Sequence, residues 1–283
     1  MDDWTRLNEQ YPHVAFNWKG FDGKVHSREN GYRIFYPGEP YVGMPENWDL
    51  QMLRQYEHVI TWNPAFFEMY KPILNMHLVQ GVLGCNPPAP LAERVPFKEK
   101  INGVCCLNNV YQNGRPGCIY WLRNEVMQNI GGDLVRHVWA PKDREWGGSC
   151  YQGEVESPIH HSHPNQLRKI SEYKFCLCLE SSYHPFWTQG FMTERILNCF
   201  RAGTIPIYMG CYNIQDYVPG GSFVNFGEFY GQTRDYNGLS QLLQQMSENE
   251  DWYEAVVESN HRWVSTCKLG SVAVLEDLIK SLG

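Results

Sequence analysis

Short runs of β-branched and aromatic residues alternate along the chain with segments that have the apolar spacing of a helix. This alternation is typical of βα units and predicts parallel sheets covered by helices. The predicted strands are Tyr32–Pro37, His58–Trp62, His77–Leu83, Asn102–Leu107, Leu134–Ala140, Lys174–Glu180, Thr204–Met209 and Ser222–Phe226. The predicted helices are Gly117–Asn129, Pro164–Glu172, Thr193–Ala202, Gly238–Asn249, Asp251–Trp263 and Val272–Leu282.

The segment Cys85–Lys98 interrupts the alternation, since it carries four prolines and no periodicity. It predicts an N-terminal unit at residues 1–95 and a second unit at residues 96–260, with residues 261–283 forming a helix that packs back. Two α/β units joined in this way hold a ligand in the cleft between them, near the carboxyl ends of the strands.

Composition and charge narrow the class of protein. The net charge of −7 and the absence of a basic stripe argue against a nucleic-acid partner. No stretch approaches the roughly 20 apolar residues of a membrane span, and the start MDDWTRLNEQ lacks a signal-peptide layout. We therefore expect a cytoplasmic protein without a membrane span.

Cysteines and aromatic residues add two expectations. The ten cysteines are dispersed, and several lie in apolar runs, so we expect reduced thiols in the core. Aromatic residues make up 14% of the chain, and some of them could line a sugar-binding cleft.

The stretch Tyr173–Phe229 carries most of the chemistry. A buried strand ends at Glu180, and after a loop a helix opens at Thr193-Glu194-Arg195. A helix N-terminus favours a pyrophosphate, and Arg195 in its first turn would add a cation. The alternative is a surface arginine paired with Glu194 or another nearby acid.

This stretch resembles the signature region of glycosyltransferase family 10, the α1,3/4-fucosyltransferases. The matching pieces are Tyr173-Lys174-Phe175, Glu180-Ser181, Thr193-Glu194-Arg195, and Gly203-Thr204-Ile205-Pro206 with Gly210. Weaker similarity covers Asn108–Leu122, the loop Gly147–Gly153, and Arg33–Glu39. The resemblance implies an α/β fold of the GT-B kind, two Rossmann-like units facing across a cleft, here with a reduced N-terminal unit.

The resemblance also implies an inverting, metal-independent transfer of a sugar from a nucleotide diphosphate to a glycan acceptor. Glu39 would be the catalytic base, although a solvated loop carboxylate is the alternative. Arg115 and Arg195 would neutralise the diphosphate in place of a metal ion, in agreement with the absence of an Asp-x-Asp motif. Glu194 would hold donor hydroxyls. The other candidate donor contacts are Glu180, Ser181, Tyr217 and Asn225, with His184 and Trp187 as further candidates in the cleft.

At two positions the sequence departs from the family pattern, and both bear on which nucleotide sugar the chain uses as donor. Arg195 replaces a lysine, and Ser181 replaces an asparagine, so GDP-fucose is the family default only. A second similarity, of Lys174–Cys178 and the Arg195–Pro206 spacing, is to exostosin-type transferases, several of which use UDP-sugars including UDP-xylose. Nucleotide sugar and glycan remain the expected partners in either case.

Three other sequence features were considered as functional motifs and have simpler explanations. The run Ile159–His163 has three histidines but no completing ligand, so no metal site is predicted. Ser181–His184 lacks the elbow of a serine hydrolase, and Gly220-Gly221 lacks dinucleotide-loop spacing. The rival to an enzyme is a catalytically weak protein that binds carbohydrates or nucleotide sugars and derives from such an enzyme.

Overall fold

A computed structural model of the protein describes residues 14–15, 34–82, 90–108, 115–140, 148–155, 163–231 and 233–282. Its strands form two sheets, one of four strands and one of six, and all strand pairs within both sheets are parallel. The alternation of strands and helices predicted from the sequence is therefore confirmed.

The N-terminal sheet has the order β1-β2-β3-β4 and consists of short strands. These are β1 (Val14–Ala15), β2 (Ile34–Phe35), β3 (His58–Thr61) and β4 (Met76–Leu78). The helices of this unit are α1 (Leu50–Leu53), α2 (Pro64–Tyr70) and a 3₁₀ turn at Pro45–Trp48. This small sheet fits the expectation of a reduced N-terminal unit.

The C-terminal sheet has the order β10-β9-β8-β5-β6-β7. Its strands are β5 (Ile101–Cys106), β6 (Val135–Trp139), β7 (Tyr151–Gly153), β8 (Tyr173–Leu179), β9 (Ile205–Met209) and β10 (Val224–Asn225). The helices are α3 (Tyr120–Asn129), α4 (Pro164–Ser171), α5 (Glu194–Ala202), α6 (Tyr236–Glu248), α7 (Glu250–Thr266) and α8 (Val272–Leu282). Every residue of β8 is buried, as expected for a central strand covered on both faces.

Most of the predicted elements are present, with bounds that differ by a few residues at either end. The prediction missed β1, β7, α1 and α2. The strands β1 and β7 have two and three residues, and α1 has four. Segments this short contain too few residues to show the apolar periodicity of a strand or a helix. By contrast, α2 has a readable start, because Asn63 caps it and Pro64 occupies its first position.

The two units share one hydrophobic cluster. The indole of Trp62, after β3, lies 5.2 Å from the ring of Phe191, which precedes α5. The backbones also approach closely here, because a Cβ at Gly190 would lie 2.2 Å from the Trp62 carbonyl oxygen. Gly190 has φ +73°, so both its conformation and this approach require glycine.

The C-terminal helix α8 packs into this shared cluster through Leu275 and Ile279. Just before it, the amide of Gly270 donates to the carbonyl of Gln80 in the N-terminal unit, at 2.8 Å. The last helix is therefore tied to the first unit. The boundary placed at residue 95 stays a prediction.

The cysteines lie mostly in the core, as the sequence predicts. Nine cysteines lie in the described part of the chain, all as free thiols, and all but Cys267 are buried. None of these nine forms a disulfide.

Candidate functional site

The candidate site begins at the carboxyl ends of the neighbouring strands β5 and β8. Glu180 follows β8 directly, and Asn108 lies two residues beyond β5. Thr193 precedes α5, and Arg195 lies in its first turn. Because parallel strands end at the same edge of a sheet, these side chains meet there.

Glu180 is the centre of this group. Its side chain is fully buried, and both carboxylate oxygens are occupied. Oε1 accepts from the Thr193 amide at 2.9 Å, and Oε2 accepts from Arg195 Nη1 at 2.6 Å. The carboxylate is thus directed to Thr193 and Arg195, and the contact of Glu180 with a nucleotide-sugar donor stays a prediction.

Arg195 is held at three points. Its Nη1 also reaches Thr193 Oγ1 at 2.8 Å, and its Nε donates to Asn108 Oδ1 at 2.9 Å. Burial alone would lower the pKa of the guanidinium, but the carboxylates of Glu180 and Glu194 together raise it above its ordinary value. Arg195 is thus paired with a nearby acid, the alternative that the sequence analysis left open, and its contact with a diphosphate stays a prediction.

One residue that the sequence did not single out supports the same strand end. Arg123, on α3, is fully buried and donates to the carbonyls of Leu179 and Glu180, with Nη2 to Leu179 O at 2.5 Å. Burial lowers its pKa to about 10, so it stays charged at neutral pH. A lone arginine among the apolar residues of a predicted helix was the available signal.

Glycine makes room for the carboxylate. A Cβ at Gly210, just after β9, would lie 2.2 Å from Cγ of Glu180. Any larger residue would therefore displace Glu180 from its bonds to Thr193 and Arg195.

Glu39 lies in the turn that follows β2, and its side chain is exposed. Its pKa is raised, chiefly because the surrounding protein removes part of its solvation; Arg195 lowers it, and Glu180 and Glu194 raise it. A carboxylate can be accessible to water and still be flanked by protein that solvates it poorly. These effects place Glu39 within electrostatic range of the charges at α5.

Arg115 joins the second unit to the same turn. Its exposed guanidinium donates to the carbonyls of Val42, at 3.2 Å, and Gly43, at 2.5 Å. The α-carbon of Gly43 faces the base candidate, because a Cβ there would lie 3.3 Å from Glu39 Oε2. Arg115 thus fixes the turn beside Glu39.

Three predicted donor contacts differ in accessibility. Ser181 is buried, and its hydroxyl has no hydrogen-bond partner among the described residues. Tyr217 is half-buried, with its hydroxyl beside Gly190. Asn225 is exposed at the end of β10, where its side chain accepts from the Gly227 amide at 3.1 Å and so caps a turn.

His184 and Trp187 serve the loop before α5. Nδ1 of His184 accepts from the amides of Phe186 and Trp187, at 3.1 and 3.2 Å. The indole of Trp187 stacks on Tyr41 of the N-terminal unit, with centroids 4.2 Å apart and planes at 14°. Trp187 thus makes a contact between the two units, and a role of His184 and Trp187 in the cleft stays a prediction.

Among the described residues, one group has the spacing of metal ligands. The sulfur atoms of Cys176, Cys178 and Cys199 lie within 4.8 Å of one another. Burial raises the pKa of the Cys178 and Cys199 thiols well above the ordinary value, which favours protonated thiols in the core. Of the histidine run, residues 159–162 lie outside the described residues, and His163 caps α4.

Comparison with known proteins identifies a family whose pattern includes the residues of this site. Residues 142–278 match the family model "Glycosyltransferase family 10 (fucosyltransferase) C-term". The resemblance to glycosyltransferase family 10 that the sequence predicts is therefore confirmed. This segment contains Glu180, Thr193 and Arg195, the core of the site.

Two curated fucosyltransferases differ in how much of their length is similar to this chain. The α-(1,3)-fucosyltransferase FucT of Helicobacter pylori is 26% identical over 247 residues, which cover 81% of this chain and 48% of the relative. The human 4-galactosyl-N-acetylglucosaminide 3-α-L-fucosyltransferase 9 is 33% identical over 86 residues, 30% of this chain and 21% of the relative. The chain thus spans about half the length of the bacterial relative.

Two solved structures have a similar fold. An α1,3-fucosyltransferase with GDP has a TM-score of 0.51 at 16% identity, covering 82% of this chain and 66% of its own. TarM has a TM-score of 0.58 at 10% identity, and the match covers 89% of this chain and 50% of the TarM chain. The GT-B class with two facing α/β units is therefore confirmed.

The structure explains several residues of the family 10 pattern. Gly203 ends α5 with φ +65°, a left-handed cap that favours glycine. Thr204 Oγ1 donates to the carbonyl of Ile170 at 2.9 Å, and Lys174 Nζ donates to Ser247 O at 2.7 Å. These motif residues hold helices onto the sheet, whereas Glu180, Thr193 and Arg195 meet at its edge.

Within the described part of the chain, none of the helices has the length and apolar content needed to cross a bilayer. The cytoplasmic location stays a prediction.

Proposed function

We propose that this chain is an inverting, metal-independent glycosyltransferase that moves fucose from GDP-fucose to a hydroxyl of a glycan acceptor. The observation that carries the proposal is the ion pair between Arg195 Nη1 and Glu180 Oε2, 2.6 Å apart, which fixes a partly exposed cation at the start of α5. Arg195 also lowers the pKa of Glu39, on the other unit. The names of the relatives support the donor, since they are fucosyltransferases. One structural neighbour was also solved with GDP.

In the proposed reaction the Glu39 carboxylate takes the proton of the acceptor hydroxyl while that oxygen attacks the anomeric carbon of the donor. The bond from this carbon to the diphosphate oxygen breaks, and its electron pair leaves with GDP. Attack from the face opposite the leaving group inverts the configuration. A raised pKa makes Glu39 a stronger base than an ordinary carboxylate, which suits proton transfer.

Negative charge that develops on the leaving diphosphate needs fixed positive partners. Arg195 fits this role because Glu180, Thr193 and Asn108 fix its orientation before any ligand arrives. The N-terminus of α5 adds its free amides and partial charge. Arg115 is exposed beside the Glu39 turn and would supply the second cation in place of a metal.

Contacts to the donor sugar are assigned to residues beside Arg195. Glu194, half-exposed in the first turn of α5, would accept from donor hydroxyls. Ser181 Oγ is buried and unsatisfied among the described residues, and such groups are common where a ligand or water binds. Tyr217 and Asn225 stay predictions for the same site.

The test is a transfer assay with GDP-fucose and a set of glycan acceptors, with and without EDTA. We expect product in both conditions, with an anomeric configuration opposite to that of the donor by NMR. Retention of configuration, or loss of turnover with EDTA, would contradict the mechanism. Turnover with UDP-xylose alone would contradict the donor, and binding without turnover would favour the rival, a sugar-binding protein.

A further inference from the structure

Two histidines and an asparagine meet on one face of the N-terminal sheet, at a place that the proposed mechanism does not use. The strand pairing puts Val59 of β3 opposite Met76 of β4. His58 therefore lies opposite Asn75, and His77, two residues beyond Asn75, projects from the same face. Nδ1 of His58 lies 3.0 Å from Nε2 of His77 and 2.9 Å from Nδ2 of Asn75.

Hydrogen bonds alone do not satisfy this arrangement. A ring nitrogen of a neutral imidazole carries either one proton or one lone pair, so it serves one partner well. If His58 Nδ1 donates to His77, its proton faces the amide donors of Asn75 as well. If it accepts from Asn75, its single lone pair is already used. Two polar groups thus converge on one nitrogen atom that can pair fully with one of them.

A metal ion removes this conflict, because it accepts a lone pair from each group. On a tetrahedral Zn²⁺ with Zn–N bonds of about 2.0–2.1 Å, two imidazole nitrogens lie about 3.3 Å apart. The separation of 3.0 Å between His58 and His77 is close to this value. The two ring centroids are 5.2 Å apart with planes at 45°, so the rings meet through their nitrogens and are not stacked. Rotation of the Asn75 amide turns its Oδ1 toward the same point.

The ligand set favours one class of ion. Imidazole nitrogen suits Zn²⁺ and related transition-metal ions, whereas Mg²⁺ and Ca²⁺ prefer oxygen. Both histidines are half-buried and Asn75 is exposed, so an ion can reach them from solvent. We propose that His58, His77 and Asn75 bind one Zn²⁺ ion, with water completing its coordination.

The ion acts on the sheet and not on sugar transfer. β4 is the last strand in the order of its sheet, and the ion joins it to β3. His58 begins β3, whereas Glu39 follows the carboxyl end of β2, so the site lies at the opposite end of the strands from the proposed base. Zn²⁺ should therefore raise thermal stability and leave sugar transfer unchanged.

Calorimetric titration of the full-length chain with Zn²⁺ tests the site. The histidine run at residues 160–163 offers further imidazoles, so every protein carries His160→Asn and His161→Asn. In this background His77→Phe removes one ligand and keeps a flat ring. His137→Phe is the matched control, since His137 is also a half-buried histidine on a strand. Mg²⁺ is the control ion.

We expect one Zn²⁺ per chain, bound at least 10-fold more weakly by the His77→Phe variant and with unchanged affinity by the His137→Phe variant. Mg²⁺ should not bind. Co²⁺ in place of Zn²⁺ should lack the absorption of thiolate ligands, which separates this site from the group Cys176, Cys178 and Cys199. No bound Zn²⁺, equal affinity of the two variants, binding of Mg²⁺ or thiolate absorption would overturn the inference.

Asn75→Asp gives a second test that does not depend on whether the His77→Phe variant folds. Asn75 is exposed, and a carboxylate is a stronger ligand for Zn²⁺ than a neutral amide. We expect the affinity for Zn²⁺ to rise at least 10-fold. Unchanged or weaker affinity would overturn the inference.

Discussion

Arg195 and Glu180 form an ion pair of 2.6 Å in which the carboxylate is fully buried and the guanidinium side chain is 23% exposed. The pair joins the end of a central strand to the start of a helix, and the exposed part of the arginine is available to an anion. Removing one member leaves the other without its partner, which usually costs about 3–5 kcal/mol when the pair is buried.

Glu180→Gln should therefore lower the free energy of unfolding, by up to about 3 kcal/mol because Arg195 keeps some solvent contact. It should also weaken GDP binding, since Arg195 loses the group that orients it. Urea unfolding and GDP titration measure the two effects. Unchanged GDP affinity in a folded variant would contradict the orienting role of Glu180.

Gly210→Ala should reduce GDP binding without touching any charged group. Its new Cβ would lie 2.2 Å from Glu180 Cγ, so the carboxylate must move away from Thr193 and Arg195. Gly220→Ala is the matched control, because a Cβ at Gly220 meets no atom within 4 Å. Thermal shift with GDP compares the two, and equal shifts would refute the argument.

Arg123→Met should destabilise the strand end. It removes the donors to the carbonyls of Leu179 and Glu180, and a buried acceptor left unpaired costs about 1–3 kcal/mol. The exposed Arg54 offers a control, since Arg54→Met should change stability by less than about 0.5 kcal/mol. Chemical denaturation measures the stability of both variants. Similar denaturation midpoints would contradict the proposed role of Arg123 in stabilising the strand end.

Glu39 gives a prediction for pH. Its pKa is raised in the folded protein, so between the unfolded value and the raised folded value the folded state binds more protons. Through that window stability falls as pH rises. Glu39→Gln should remove this dependence, match the unsubstituted chain in stability well below the ordinary pKa of a glutamate, and be the more stable form at neutral pH. Thermal melts across pH test the sign.

The same ionisation should appear in catalysis. A base must be deprotonated, so kcat/KM should fall on the acid side with an apparent pKa above that of an ordinary carboxylate. The residual rate of the Glu39→Gln variant should lack this limb. An acid limb that survives the substitution would assign it to another group.

The sequence was sufficient to predict the strand that ends at Glu180 and the helix that opens at Thr193, because local periodicity and the family pattern mark both. It did not indicate which charges pair. Arg195 meets Asn108, 87 residues earlier in the chain, and only the neighbouring positions of β5 and β8 bring them together.

Trp187 illustrates the same limit. Its place in the loop before α5 made it a candidate for the cleft, but the sequence did not indicate that its ring stacks on Tyr41 of the other unit. A contact between units depends on how the two sheets pack, which no local pattern encodes.

The most direct test of the central claim compares GDP-fucose binding and turnover in the unsubstituted chain, Glu39→Gln and Arg195→Ala. GDP-fucose at 100 times its dissociation constant should stabilise the first two by about 2.7 kcal/mol, and only the first should form product. Arg195→Ala should lose most of the stabilisation. Full turnover by Glu39→Gln, or no stabilisation of the unsubstituted chain, would contradict the assignment of this site as a glycosyltransferase centre.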